Sequence, residues 1–199
     1  TYVTRRLNNG YLLKELGDLY RRDAQYANAR DSYLQAIKTG FDSADLYRNL
    51  AISHERLNED KQAEIHFKGA LARDPNDPFT LNYLGYWWAE SGRHLTEAIE
   101  LIEKAVRLRP DSGFFVDSLG WVHYQLGNYQ RAVQFLEKAT TLEPEDAVII
   151  AHLGDAYWKT KRYNEAQYKW RYAAQITKDS ALQADLENRL AVSYTHLTL

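Results

Sequence analysis

One period governs this sequence. Leu16-Gly17, Leu50-Ala51, Leu84-Gly85, Leu119-Gly120 and Leu153-Gly154 recur at spacings of 34, 34, 35 and 34 residues. Downstream of each pair lies an Ala (Ala29, Ala63, Ala98, Ala132, Ala166), and seven residues later a second (Ala36, Ala70, Ala105, Ala139, Ala173). Tyr33, Phe67, Ile102, Leu136 and Trp170 hold one fixed place between the two Ala positions. A repeat of this length marks a unit too small to bury its own apolar faces, one that is stable only when stacked on its neighbours. The chain has only 4 Pro and 10 Gly, too few turn residues for a β-rich protein of this length.

The repeated Gly has a physical reading. In a helix interior it costs about 0.5–1 kcal/mol relative to Ala. Its return at one register position therefore points to close helix packing that a side chain would block. Ala51 keeps the site small in the second copy, and the paired Ala positions do the same on a second helix. Local signals set the helix ends. Asp77 followed by Pro78 reads as an N-cap and first helical residue, and Asp111 or Ser112, and Asp146, serve the next two copies. Pro75, Pro110 and Pro144 stop the preceding helices. Asn58, Gly92 and Gly127 mark tight turns inside the hairpins, and Lys161 stands at that place in the fifth copy, where a differently closed turn is expected. The third copy holds one extra residue, in RHLTEA at 93 to 98, with Leu95 at the usual aromatic place.

These residues resemble the tetratricopeptide repeat, whose pattern runs W-x2-L-G-x2-Y, then A-x3-F, A and P. The fourth copy, SLGWVHYQLGNYQRAVQFLEKATTLEP, follows it throughout. The resemblance implies an all-α solenoid, a right-handed superhelical stack of five helix-turn-helix repeats at 10–43, 44–77, 78–112, 113–146 and 147–180. Residues 1–9 read as a leader or the end of an earlier helix. Residues 181–192, with Leu182, Leu186 and Leu190 at i, i+4 spacing, read as a capping helix. Residues 193–199, SYTHLTL, break the pattern and look non-native. The chain starts at Thr1 and has no Met, so it is expected to be a piece of a longer protein.

In proteins of this family the first helix of each repeat turns its second, fifth, ninth, twelfth and thirteenth positions toward a concave surface. Carried over to this sequence, the resemblance gives a partner-binding groove of Lys14, Arg21, Arg22, Arg48 and Arg56 toward the N-terminus. Phe79, Asn82, Tyr86, Phe114, Trp121, Tyr124, Gln125 and Trp158 follow. The first part is charged and largely basic and the rest aromatic, which suits an apolar protein segment with an acidic end. A family subtype that clamps a C-terminal carboxylate is matched at Lys14 and Asn49 only. Asp18, Phe79 and Tyr83 stand at its other places, and Asp18 would repel a carboxylate.

Chemistry is not expected. His54, His66, His94, His123, His152 and His196 form no i, i+4 metal pair, and HERLN at His54 is not HExxH. His54 and His123 sit at the packing position held elsewhere by Tyr20, Trp88 and Tyr157. There is no Cys, and no phosphate-binding loop or nucleophile-elbow motif. No catalytic residue, metal or cofactor is therefore assigned. The formal net charge of -2 is not that of a nucleic-acid binder. An RNA-binding helical repeat stays as an alternative because Arg5, Arg6 and the basic groove residues could form one patch, interrupted by Asp18, Asp45 and Glu55. No stretch approaches the roughly 18 apolar residues of a membrane span. More narrowly, Asp74 to Ala139 resembles bacterial repeat proteins of several hundred residues, many exported and some outer-membrane lipoproteins. The marks are NYLGY at Asn82–Tyr86, DSLGW at Asp117–Trp121 and HLGDAYW at His152–Trp158. Certain relatives are adaptors that deliver substrates to a periplasmic carboxyl-terminal processing protease. That resemblance implies a periplasmic or outer-membrane-associated setting; without it, a cytoplasmic one is expected.

Overall fold

The computed structural model describes the backbone of residues 2–197 and the side chains of residues 9–193. Within them every regular element is helical: α1 (Tyr2–Arg22), α2 (Tyr26–Lys38), α3 (Ala44–Arg56), α4 (Asp60–Arg73), α5 (Pro78–Glu90), α6 (Leu95–Leu108), α7 (Gly113–Gln125), α8 (Tyr129–Leu142), α9 (Ala147–Lys159), α10 (Tyr163–Ile176) and α11 (Ser180–Leu197). Consecutive helices pair into helix-turn-helix repeats, and α11 packs on α10. The chain divides into two compact units, Thr1–Thr80 and Leu81–Leu199. No described helix is long and apolar enough to cross a membrane.

Each hairpin closes by placing one large side chain of its second helix against the small residue of its first. A methyl group at Gly120 would lie 2.7 Å from Leu136 Cγ, and one at Gly85 would lie 2.8 Å from the Ala98 carbonyl oxygen. At Gly17 and Gly154 it would strike the rings of Tyr33 and Trp170, each at 2.5 Å. In the second copy Ala51 fills the place, and both it and Phe67 are fully buried. All ten paired Ala positions are also fully buried, so the two helices of a hairpin meet along surfaces of minimal bulk.

The hairpin turns share one geometry. Ala24, Asn58, Gly92, Gly127 and Lys161 all adopt positive φ, between 56° and 76°. The left-handed residue lets the chain reverse after each first helix, 13 residues long in the last four hairpins. Lys161 therefore closes its turn as the glycines do, contrary to the expectation of a different closure. The extra residue of the third copy adds a second left-handed position, His94 at φ 48°, after which α6 opens on Leu95 as α2, α8 and α10 open on Tyr26, Tyr129 and Tyr163. Asp77 caps α5, accepting from the Phe79 and Thr80 amides at 3.3 and 3.2 Å. Asp146 caps α9, accepting from Val148 and Ile149 at 2.9 and 3.0 Å. Ser112 occupies the N-cap of α7 without a side-chain bond.

The two ends differ from the internal repeats. α1 is continuous from Tyr2, so the stretch read as a leader or the end of an earlier helix is helical from there; side chains 1–8, including Arg5 and Arg6, lie outside the described residues. α11 buries Leu186 fully and packs Leu182 and Leu190 on the core formed with Trp170 and Ala173. It does not stop at 192. Ser193 is buried and accepts from Gln167 at 2.8 Å, and the backbone stays helical to Leu197. Side chains beyond Ser193, that of His196 among them, and residues 198–199 lie outside the described residues.

Leu12 is 64% and Leu19 53% exposed, whereas their equivalents one repeat later, Leu46 and Ser53, are fully buried. The covering element in the later case is the preceding second helix, whose Leu34 and Ile37 pack with Leu46 and Leu50. Among the described residues α1 has no helix before it.

Two histidines expected to pack do so. His54 is buried, bonds Glu59 through Nδ1 at 2.5 Å, and stacks on His66 with ring centroids 5.0 Å apart. His123 is buried and stacks on Phe135 at 5.4 Å. Burial, with the positive fields of His54 and Arg73, lowers the His66 imidazole to about 4.

Three outcomes are expected. Leu46→Ala should cost about 2–5 kcal/mol, whereas Leu12→Ala should stay within about 0.5 kcal/mol, both read by urea unfolding. Lys161→Gly should add about 0.5–1 kcal/mol, because Gly carries no Cβ penalty at positive φ. Stability should fall as pH drops from about 6.5, where an unfolded His takes up its proton, to about 4, where folded His66 does. The His66 contribution is exhausted below that, where the loss passes to carboxylates held low in the fold, Asp45, Glu59 and Asp77, and His66→Gln should reduce the fall between about 6.5 and about 4 in pH-dependent thermal melts.

Candidate functional site

In the first unit the expected basic residues are largely spoken for. Asp18 on α1 accepts from Tyr33 Oη at 2.6 Å and from Asn49 Nδ2 on α3 at 2.8 Å. Lys14 sits between carboxylates, 2.8 Å from Asp18, 2.9 Å from Asp45 and 3.2 Å from Glu15. Burial alone would lower its ammonium pKa, but the bonds to Asp18 and Asp45 outweigh that and raise it. Arg48 pairs with Asp77 at 2.6 Å, and its guanidinium lies 5.8 Å from the centre of the exposed Phe79 ring. Arg56 is 3.3 Å from Glu55. Arg22 donates to the Asp18 carbonyl oxygen at 3.3 Å, and the Nε of half-buried Arg21 is buried without an acceptor. The N-terminal set is thus a network of ion pairs more than an open basic patch. Lys14 and Asn49, the two matches to a carboxylate clamp, both already bind Asp18.

The second unit holds a stack of rings. Trp121 on α7 stacks on Tyr124 one turn later, with centroids 4.7 Å apart and planes 5° apart. It also stacks on His152 of α9, at 4.0 Å and 18°. Tyr124 meets Tyr129 edge-on at 5.4 Å. Carboxylates fix the stack from both sides. Trp121 Nε1 donates to Glu90 Oε1 at 3.0 Å, the same oxygen that Tyr86 Oη reaches at 3.2 Å. His152 Nδ1 lies 2.9 Å from Asp117 Oδ1. Burial and then the Glu90 charge raise the Tyr86 hydroxyl, and burial followed by the Asp155 charge pushes Tyr124 up to about 12. Both hydroxyls stay protonated at neutral pH. Trp158, half-buried, meets Tyr163 edge-on at 4.7 Å and Trp170 at 5.4 Å. Phe114 and Gln125 are exposed, and so is Val148 at the second position of α9. Asn82 is half-buried, with its Oδ1 lacking a donor.

Register reasoning did not foresee the partners of four residues. His152 and Asn49 both occupy the sixth place of a first helix, and each reaches a carboxylate on the preceding first helix, Asp117 or Asp18. A polar side chain at that place in two copies was the available signal. Glu90, the thirteenth residue of α5, reads as an ordinary solvated acid until its two ring donors are seen. Arg189 lies outside the repeats; it crosses from α11 to Asp155 at 2.6 Å, where Trp170 Nε1 also donates at 2.9 Å. Among the described residues no group of three His, Cys, Asp or Glu is arranged to hold a metal ion.

Comparison with known proteins agrees with this geometry. Family models described as tetratricopeptide repeat match residues 14–78 and 123–167. A TPR repeat-containing protein of Pseudomonas aeruginosa is 35% identical over 97 residues, 47% of this chain. The match spans only 16% of that relative's length. Photosystem I assembly protein Ycf3 of a Synechococcus strain is 26% identical over 136 residues, covering 60% of this chain and 78% of its own. The solved structure of Pseudomonas aeruginosa pilF superposes with a TM-score of 0.79 at 24% identity, over 96% of this chain and 86% of that one. A thermophilic TPR protein of Thermus thermophilus superposes at 0.76 and 21% identity, over 94% and 99%. Repeat register, helix pairing and these matches agree: the chain belongs to the tetratricopeptide-repeat family and has its all-α fold of helix-turn-helix repeats.

Proposed function

We propose that this chain holds a segment of another protein against the first-helix side chains of its second unit. The observation that carries the reading is the coexistence of exposed apolar groups, Phe114 and Val148, with the preassembled stack of Trp121, Tyr124 and His152 on the same two helices, α7 and α9. Exposed aromatics beside rings already locked in place offer apolar area at little further entropic cost. The groove residues of the first unit, Lys14 and Arg48 in particular, would contribute less, because carboxylates already neutralise them. The same pairs weigh against the RNA-binding alternative, which needs unpaired cations along a surface.

A narrower form is a substrate-delivery adaptor for a periplasmic carboxyl-terminal processing protease in a bacterium. The NYLGY, DSLGW and HLGDAYW marks support it, and the likeness to a repeat protein of Pseudomonas aeruginosa fits a bacterial source. It would place the parent protein in the periplasm or at the outer membrane.

Crosslinking capture with this chain, followed by titration of the captured protein, tests the reading. Phe114→Ala, at an exposed position, should leave the circular dichroism unchanged and weaken binding by about 1–3 kcal/mol. Trp121→Ala should weaken it at least as much, because the stack loses its centre. Unchanged affinity in both variants, with the fold intact, would rule the surface out.

A further inference from the structure

The surface proposed to bind a protein segment also carries information about that segment's charge. We infer that the second unit receives a basic segment, with an Arg or Lys side chain seated at Glu90 and its apolar neighbours on Phe114 and Val148. This inference rests on the binding role proposed for that surface.

Glu90 is exposed, and its side-chain partners are two neutral donors, the Trp121 indole and the Tyr86 hydroxyl, which both reach Oε1. That leaves a carboxylate held in a fixed orientation with one oxygen open and its charge unbalanced. A second carboxylate, Asp117, is buried behind the same rings, 2.9 Å from the His152 imidazole. Arg93, three residues after Glu90, donates to Ser91 Oγ at 3.0 Å and lies 4.6 Å from the Trp87 ring centre. Arg189 is engaged by Asp155 and Asp185, at 2.6 Å each, and Lys159 lies 5.9 Å from the Tyr129 ring. The surface is therefore apolar at Phe114 and Val148, at the starts of α7 and α9, and negative at Glu90, at the end of α5, which an acidic segment would meet with repulsion and a basic one with attraction.

The chain displays such a contact internally. Asp155 stands one repeat beyond Trp121 in the same register and takes Arg189 from α11, with Trp170 donating to the same carboxylate from the side. A carboxylate braced by an indole and completed by a helix-borne guanidinium is the arrangement inferred for Glu90, where the indole is Trp121 and the guanidinium comes from the partner. In the first unit the corresponding arrangement is already filled from within, Asp18 being met by Lys14, Tyr33 and Asn49.

The test uses the full chain, labelled with nitrogen-15, and three synthetic peptides sharing one apolar frame. They differ only in carrying Arg, Gln or Glu at two positions. The indole N–H resonance of Trp121 reports binding. The Arg peptide should shift it most and the Glu peptide least. Glu90→Gln, which keeps an oxygen for the indole, should weaken the Arg peptide about two- to fivefold and leave the Gln peptide unchanged. Added salt should narrow the difference between peptides. Equal binding of all three, or preference for Glu, would overturn the charge inference while leaving the binding surface standing. Absence of any shift, in a chain whose Phe114→Ala variant also fails to respond, would overturn both.

Discussion

The structure depends on one contact repeated five times: a large side chain of the second helix seated where the first helix has almost none. Tyr33, Phe67, Ile102, Leu136 and Trp170 differ in shape, yet each finds the same Gly or Ala opposite. The contact sets how near the two helices of a hairpin come, and so where the outward positions of the first helix stand. The helix-propensity cost of each Gly, about 0.5–1 kcal/mol, is small beside the loss from burying a large side chain badly, about 1–3 kcal/mol. That difference explains why Gly persists mid-helix in four copies and why Ala51 suffices beside Phe67.

The same register builds the polar side of the molecule. Asp18, Asp117 and Asp155 each stand on a first helix and meet a polar group from the next one: Asn49, His152 and Arg189. Because a half-buried carboxylate without a donor is costly, these positions carry matched pairs. Their effect reaches the candidate surface. His152, held by Asp117, provides one face of the Trp121 stack, and Glu90 holds the indole edge. The rings are thus ordered before any partner arrives, which lowers the entropic cost of association.

Much of this was legible in the residues. The positions of the small and large side chains, the caps at Asp77 and Asp146, the Pro stops, and the register shift at Leu95 follow from local chemistry and spacing. Lys161 was less legible. A non-glycine residue at the turn suggested a different closure, but the hairpin packing on either side holds it at positive φ all the same. The extent of α11 was less legible too: residues 193–199 break the repeat pattern, yet a bond from Gln167 to Ser193 holds the helix past 192. For the candidate surface, the aromatic residues could be placed by register, but their mutual stacking could not, since it depends on χ angles and on a histidine from another repeat.

The sequence by itself determined the repeat, its family and the identity of the packed faces. Those follow from side-chain volume and periodicity, which are properties of the chain read in order. Only the tertiary structure decided which charges remain unbalanced. Lys14 and Arg48 look like free cations in the sequence and are neutralised by acids on neighbouring elements, whereas Glu90 looks ordinary and is left with neutral partners. Net electrostatic character at a surface depends on distances of a few ångströms between residues about thirty positions apart, and Coulomb interactions at that range are set by packing rather than by order along the chain.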